Sequence, residues 1–223
     1  METAPRPQHP ARPARRSKAY DGKLERVLKA GAAVFAREGY DRATIRQVAA
    51  EAGTSLAGLY HYFSSKEELL FLLQCHTFDS ILSELQQKLE AVDDPRERLR
   101  VVVENHLGHF LAHMDELKVC VHEMASLEGE YYRRVQDLRR AYFRTTLAIV
   151  EAIAAEAGDS PLDARLATLY LFGMLNWIYM WYPAAGKVSD EELADQLVTL
   201  FLDGFLPRAE RRQGGLKGGK RHV

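Results

Sequence analysis

The chain has 223 residues, 47% of them hydrophobic and 27% charged, with a formal net charge of −1. That is enough apolar material for one large or two small packed domains. The two cysteines, Cys75 and Cys120, form no C-x-x-C pattern, which excludes a disulfide framework and fits a reducing, cytoplasmic setting.

The near-neutral total hides a division. Residues 1–66 carry 12 Lys/Arg against 6 Asp/Glu, residues 67–207 carry 12 against 24, and residues 208–223 carry 6 against 1. A basic head on an acidic body is the electrostatic footprint of a phosphate binder whose body is repelled by DNA.

Residues 1–19 are rich in Pro and Arg and lack an apolar run, so they are neither a signal peptide nor a folded segment. They read as a disordered basic arm, reaching for DNA or merely solubilising. A head domain is expected over 20–80. Its first helix, about 23–38, presents Leu24, Val27, Leu28, Gly31, Val34 and Phe35 at helical spacing. The segment TIRQVAAEAGTSLAGLYHYFSSK, 44–66, then holds two short helical patterns joined at a glycine, the form of a helix-turn-helix. Thr44 is placed to cap the first, Gly53 to end it in the left-handed backbone, and Thr54 and Ser55 to cap the second. On the second helix Leu56, Leu59 and Phe63 share one face.

The run AGTSLAGLYHYFSSKEELL, 52–70, resembles the recognition helix and following capping box of TetR-family one-component repressors. The resemblance is specific over roughly residues 20–80 and continues beyond as an all-helical pattern of matching length. It implies a three-helix DNA-binding domain followed by a larger helical domain that dimerises and binds a ligand, about nine helices in all. It further implies phosphate contacts from Thr44, Tyr60 and Lys66, and base contacts from Arg46 and from Ser55, Leu56, Ala57 and Gly58. His61 and Tyr62 could reach backbone or bases. Leu56 and Gly58 stand where many members carry hydrogen-bonding side chains, so thymine-methyl contact and DNA shape would carry more of the readout. Leu56 could equally pack inward, Tyr60 could serve as a core aromatic with a wet hydroxyl, and Lys66 could be a solvated helix-start lysine.

The body, 81–207, is expected to be helical and without strands. One helix opens at Ser64 or Ser65 and runs to about 91; Asp94-Pro95 starts another, carried by Leu99, Val102, Val103, His106, Leu107, Phe110 and Leu111. Further helices are expected over about 115–126, 128–157 ending at Gly158, from Ser160-Pro161 to about 182, and from Ser189 to about 206. No charge occurs from Leu166 to Gly186, yet Thr168, Gly173, Asn176 and Pro183 leave an apolar helix too short to span a bilayer. A helix apolar all round needs cover on both sides. Its own domain on one side and a second copy on the other, together with the stripe Leu193, Leu197, Leu200, Phe201, Gly204 and Phe205, give a four-helix homodimer interface. The tail 208–223 reads as disordered and basic.

A ligand site is expected among polar and aromatic members of apolar helices: Asn105, His106, His109, His113, His122, Tyr142, Asn176, Trp177 and Trp181. Arg133, Arg140 and Arg144 share a helical face and could hold phosphates, or pair with Glu130 and Asp137 as a solvated surface. GLYHYFSSKEELLF and NWIYMWYP are similar to the TetR subgroup regulating lipid and aromatic-acid breakdown, which implies an acyl-CoA thioester as effector and no resident cofactor. The expected function is a ligand-released repressor on a palindromic double-stranded operator, and not an enzyme. The competing reading is a helical metal-dependent enzyme using His106, His109 and His113, which recur at i, i+3 and i+7 on one face.

Overall fold

The computed structural model describes residues 18–158, 163–182 and 188–205, and among these the regular structure is entirely helical. α1 spans Lys18–Glu38, α2 Ile45–Glu51, α3 Leu56–Leu59 and α4 Lys66–Leu89. α5 spans Pro95–Ala112, α6 Met114–His122, α7 Gly129–Ala157, α8 Ala164–Asn176 and α9 Asp190–Phe205. Short 3₁₀ turns follow α6 at Met124–Ser126 and α8 at Ile178–Met180. The tail, the arm up to residue 17, and Ser160, Pro161, Pro183 and Pro207 lie outside the described residues.

Side-chain caps fix most helix starts. Thr44 Oγ1 accepts from the Gln47 amide at 3.3 Å, and Gln47 Oε1 accepts from the Thr44 amide at 2.8 Å, a reciprocal box. Ser55 caps α3 through the Gly58 amide at 3.1 Å, and Ser65 caps α4 through the Glu68 amide at 3.0 Å. Asp94 accepts from the Arg96 and Glu97 amides, with Pro95 as first helical residue. Ser189 caps α9 through the Glu192 amide at 3.1 Å. Gly53 turns the chain between α2 and α3 at φ +62, where a Cβ would be strained.

Four boundaries depart from the sequence expectation. α1 opens at Lys18, ahead of its first apolar residue. α8 is capped by Asp163, whose carboxylate accepts from the Leu166 amide at 2.8 Å. It stops at Asn176, and the chain tightens into the 3₁₀ turn that was expected to be α-helix. The element expected over 115–126 likewise breaks at Glu123.

The four residues of α3 cannot hold a helix alone. Packing supplies what hydrogen bonding lacks: Leu59 and Phe63 are buried with Val27, Leu28, Val34 and Phe35 of α1, Val48 of α2 and Leu69 of α4. Full burial of a side chain such as Leu59 contributes roughly 1.5–3 kcal/mol. α4 runs on from this head into the body, where it packs on α7 and α5, while α6 packs back onto α1. Head and body therefore share one long helix and a second contact through α6.

The last helices bury only one side. α8 turns Ala167, Thr168, Leu171 and Leu175 inward, and α9 turns Ala194, Val198 and Phe201 toward α5. Of the stripe expected at the homodimer interface, Leu193 and Leu197 are half-buried and Leu200 is 66% exposed, whereas Phe201 is buried within the subunit. Arg100 and Asp195 pair across α5 and α9.

Candidate nucleic-acid interface and ligand cavity

α2 and α3 present a polar surface on the head. Thr44, Arg46, Ser55, Ala57, Tyr60 and His61 are exposed, and Leu56, Gly58 and Tyr62 are half-buried. Tyr60 stands 55% exposed against Phe63, with ring centroids 6.4 Å apart, so it is no core aromatic. Leu56 divides its surface between core and solvent, which allows both of its expected roles. A Cβ on Gly58 would lie 2.8 Å from Thr54 Oγ1, so the bare glycine leaves room for that hydroxyl at the turn into α3.

Two expected phosphate ligands are differently engaged. Thr44 Oγ1 donates to Gln47 Oε1 at 2.8 Å while capping α2, so its hydroxyl proton is already placed. For Lys66 the expectation is corrected. Its ammonium donates to the carbonyls of Tyr40 at 2.8 Å, Asp41 at 3.2 Å and Ala43 at 3.2 Å, and lies 4.3 Å from the Tyr40 ring centre. An ammonium has three protons. All three are used in tying the α1–α2 connection to the start of α4.

In the body, a cavity of about 700 Å³ opens between α4, α5, α6, α7 and α8. His106, Tyr142, Asn176, Arg140 and Arg144, expected as ligand contacts, all line it. Sequence reasoning missed the rest of its wall: Phe78, Phe110, Leu117, Phe143 and Phe172 on the apolar side, and Gln136, Arg139 and Arg165 on the polar side. The interior is buried and aromatic, whereas Arg140, Arg144 and Arg165 are exposed. Arg139 donates to the Cys120 carbonyl at 2.6 Å and lies over the Phe78 ring, and Arg165 lies 5.5 Å from the centre of the Phe143 ring. Four guanidinium groups thus surround an apolar chamber. Arg133 is exposed and does not line it, which corrects the expected Arg133–Arg140–Arg144 face. The chosen spacing was right for a surface stripe, but the opening is framed by residues from both α7 and α8. Arg140 does meet Asp137 at 3.7 Å, a solvated pair of little energetic weight.

Burial sets the charge states inside. It pushes the His106 imidazole down to about 3 and the Cys120 thiol up to about 12, so both are neutral. The Tyr142 phenol is likewise raised.

The other candidates fall elsewhere. Asn105 is buried behind the wall, accepting from Lys88 and donating to the Ile81 carbonyl. His109 and His113 face a separate cleft of about 400 Å³ with His76, Glu116 and the α1 residues Glu25 and Arg26. His122 is exposed and meets the Tyr179 hydroxyl at 2.6 Å, while Trp177 and Trp181 are 54% and 57% exposed. The histidine face behind the metal-enzyme reading is therefore split between two cavities. Among the described residues no three His, Cys, Asp or Glu side chains are arranged to hold a metal ion. No helix among them is long and apolar enough to cross a membrane.

α8, the turn after it and α9 leave Leu166, Leu169, Tyr170, Trp177, Met180, Trp181 and Leu200 open. Apolar side chains gathered on neighbouring elements mark a contact surface.

Comparison with known proteins agrees with this geometry. A family model described as "Bacterial regulatory proteins, tetR family" matches residues 27–73, and one described as "Tetracyclin repressor-like, C-terminal domain" matches 92–205. The transcriptional activator FasR of Mycolicibacterium smegmatis is 39% identical over 156 residues, covering 70% of this chain and 68% of that protein. The fold is similar to that of a transcriptional regulator from Bordetella parapertussis, with 30% identity, a TM-score of 0.76, and 83% and 96% of the two chains covered. It is also similar to AibR solved with isovaleryl coenzyme A and operator DNA, at 24% identity and a TM-score of 0.71, covering 80% and 97%.

Proposed function

The chain belongs to the TetR family of bacterial transcriptional regulators, and from that premise we propose that it is a cytoplasmic, homodimeric repressor released from its operator by an acyl-CoA thioester. The observation that carries the effector is the ring of Arg139, Arg140, Arg144 and Arg165 around an aromatic chamber. Coenzyme A brings phosphates and an acyl chain in one molecule. Guanidinium groups meet phosphates in strong charge-assisted pairs, and the chamber accepts the chain. The solved AibR complex with isovaleryl coenzyme A supports this choice.

The open face of α8 and α9 supports the dimer. A twofold-related copy covers those side chains and sets two α3 helices against half-sites about 34–36 Å apart on the duplex. Arg46 and the first turn of α3 then face bases, while Tyr60 and the α2 N-terminus face phosphates. Reading by apolar contact at Leu56 and Ala57 and by DNA shape supplements the few hydrogen-bonding groups.

A route joins the two sites. α6 lines the cavity with Leu117 and Cys120 and ends at His122, just before Glu123, whose carboxylate accepts from the Tyr40 amide at 3.2 Å. Phosphates drawing Arg139 away from the Cys120 carbonyl would shift α6, and with it the head. A ligand favours the released state only by binding it more tightly.

Titration of the operator complex with acyl-CoAs of graded chain length tests the proposal. Release by at least one of them is expected, with Arg144→Ala and Arg165→Ala requiring higher concentrations while holding DNA as before. Operator complexes untouched by every thioester would refute the effector.

A further inference from the structure

We propose that His106 is a specificity-determining group that selects acyl chains carrying an oxygen acceptor within the chamber. The inference rests on the acyl-CoA reading of this cavity and refines it.

The warrant is an unsatisfied donor. His106 lines the chamber and is 2% exposed, and its Nε2 is buried without a hydrogen-bond partner. Buried polar atoms nearly always have partners, so such a vacancy calls for an explanation. The surrounding hydrogen bonds determine which ring nitrogen holds the proton. Lys88 Nζ donates to Asn105 Oδ1 at 3.0 Å, which fixes the amide's orientation, and Asn105 Nδ2 donates to the Ile81 carbonyl at 3.0 Å. The buried Tyr142 hydroxyl lies 3.4 Å from His106 Nδ1, and a phenol O–H donating to an imidazole nitrogen is the stronger pairing of the two groups. The neutral imidazole has one ring proton, and Nδ1 is the acceptor, so the proton sits on Nε2.

The ring cannot readily turn to another partner. Phe110 lies 4.7 Å away by centroid, Phe172 6.1 Å, and Tyr142 stacks at 6.1 Å. None of these rings brings a hydrogen-bond acceptor to Nε2. A saturated hydrocarbon tail entering here leaves the N–H unpaired and displaces any water that had paired it. A keto or hydroxyl oxygen at the same depth accepts from it. Discrimination between a ligand with the matching polar group and one without it is greatest where the protein's own group is buried. The rim arginines contribute nothing to this choice, because every CoA thioester presents them with the same phosphates.

The test uses decanoyl-CoA and decanoyl-CoAs bearing one keto group at carbon 3, 5, 7 or 9, with binding to the full-length dimer followed by calorimetry. The expected result is at least one keto position bound about tenfold or more tightly than the plain chain. His106→Phe, which keeps a ring of similar size, erases that preference by losing the keto ligand's advantage. A second readout needs no variant: with ¹⁵N-labelled histidine, the His106 Nε2–H signal moves with the keto ligand and stays put with decanoyl-CoA. Equal binding of all five thioesters, with no response in that signal, overturns the role of His106 and leaves the acyl-CoA effector intact. No binding by any of the five removes both.

Discussion

Lys66 and Tyr40 meet twice: the ammonium donates to the Tyr40 carbonyl at 2.8 Å and also lies 4.3 Å from the centre of its ring. The Tyr40 amide is held at the same time by Glu123, from beyond the end of α6. One residue between the first two helices is thus gripped from α4 and from the effector domain, and the relative position of α1, α2 and α4 is set there.

Lys66→Met removes three donors from backbone carbonyls and leaves them to water. The head should lose about 1–3 kcal/mol of stability. Because the ammonium is not spent on phosphate, the slope of operator affinity against log salt should be unchanged. Thermal melting and a salt titration of the variant check both halves. A flattened slope would restore Lys66 to the DNA contact set.

Arg46 is exposed and lies at the start of α2, and Tyr60 is exposed at the end of α3. Arg46→Ala should reduce the magnitude of the salt slope by about 1 if the guanidinium neutralises a phosphate. An unchanged slope with relaxed sequence preference would make it a base reader instead. Tyr60→Phe should weaken binding by roughly 1 kcal/mol on every sequence, since it removes one hydroxyl from a phosphate contact.

Glu123→Ala cuts the hydrogen bond that carries α6 to the head. Thioester affinity measured without DNA should be unaltered, because Glu123 does not line the cavity. The difference between thioester affinities with and without operator, ordinarily worth about 1–3 kcal/mol in coupled proteins, should shrink. Full coupling in this variant would exclude the route through Tyr40.

Burial lowers the pKa of His106 from 6.5 to about 3 and also lowers that of His109. Below pH 6.5 the unfolded chain therefore binds protons that the folded chain refuses. The associated stability is complete above the unfolded value and is lost as pH falls from 6.5 toward 3. The slope is at most about 1.4 kcal/mol per pH unit for each proton involved. Denaturant unfolding at pH 7, 6 and 5 should show it, and His106→Phe should lessen it. Equal slopes in both proteins would mean that His106 titrates normally.

Much of this was legible in the chain. Thr44, Ser55, Ser65 and Asp94 cap where their side chains and spacing said they would, since capping is settled within four residues. His106, Tyr142 and Arg144, singled out as polar groups on apolar helices, line the cavity. What local pattern cannot supply is which face of a long helix meets which neighbour. Arg165 and Phe172 come to the cavity from α8, and His109 turns away from His106 into another cleft although only three residues separate them. Lys66 misled because a lysine at a helix start looks the same whether it faces DNA or a loop folded back over it. On α9 the pattern likewise left open which apolar residues turn inward: packing against α5 buries Ala194, Val198 and Phe201 and leaves Leu200 outside.

Trp177 and Trp181 are the only tryptophans of the chain, and both stand on the open side of α8 and the turn beyond it. Ultraviolet emission therefore reports almost solely on that patch. Diluting the protein through its association constant should shift the emission maximum to longer wavelength as both indoles become wet. The native chain thus contains its own label for subunit exchange.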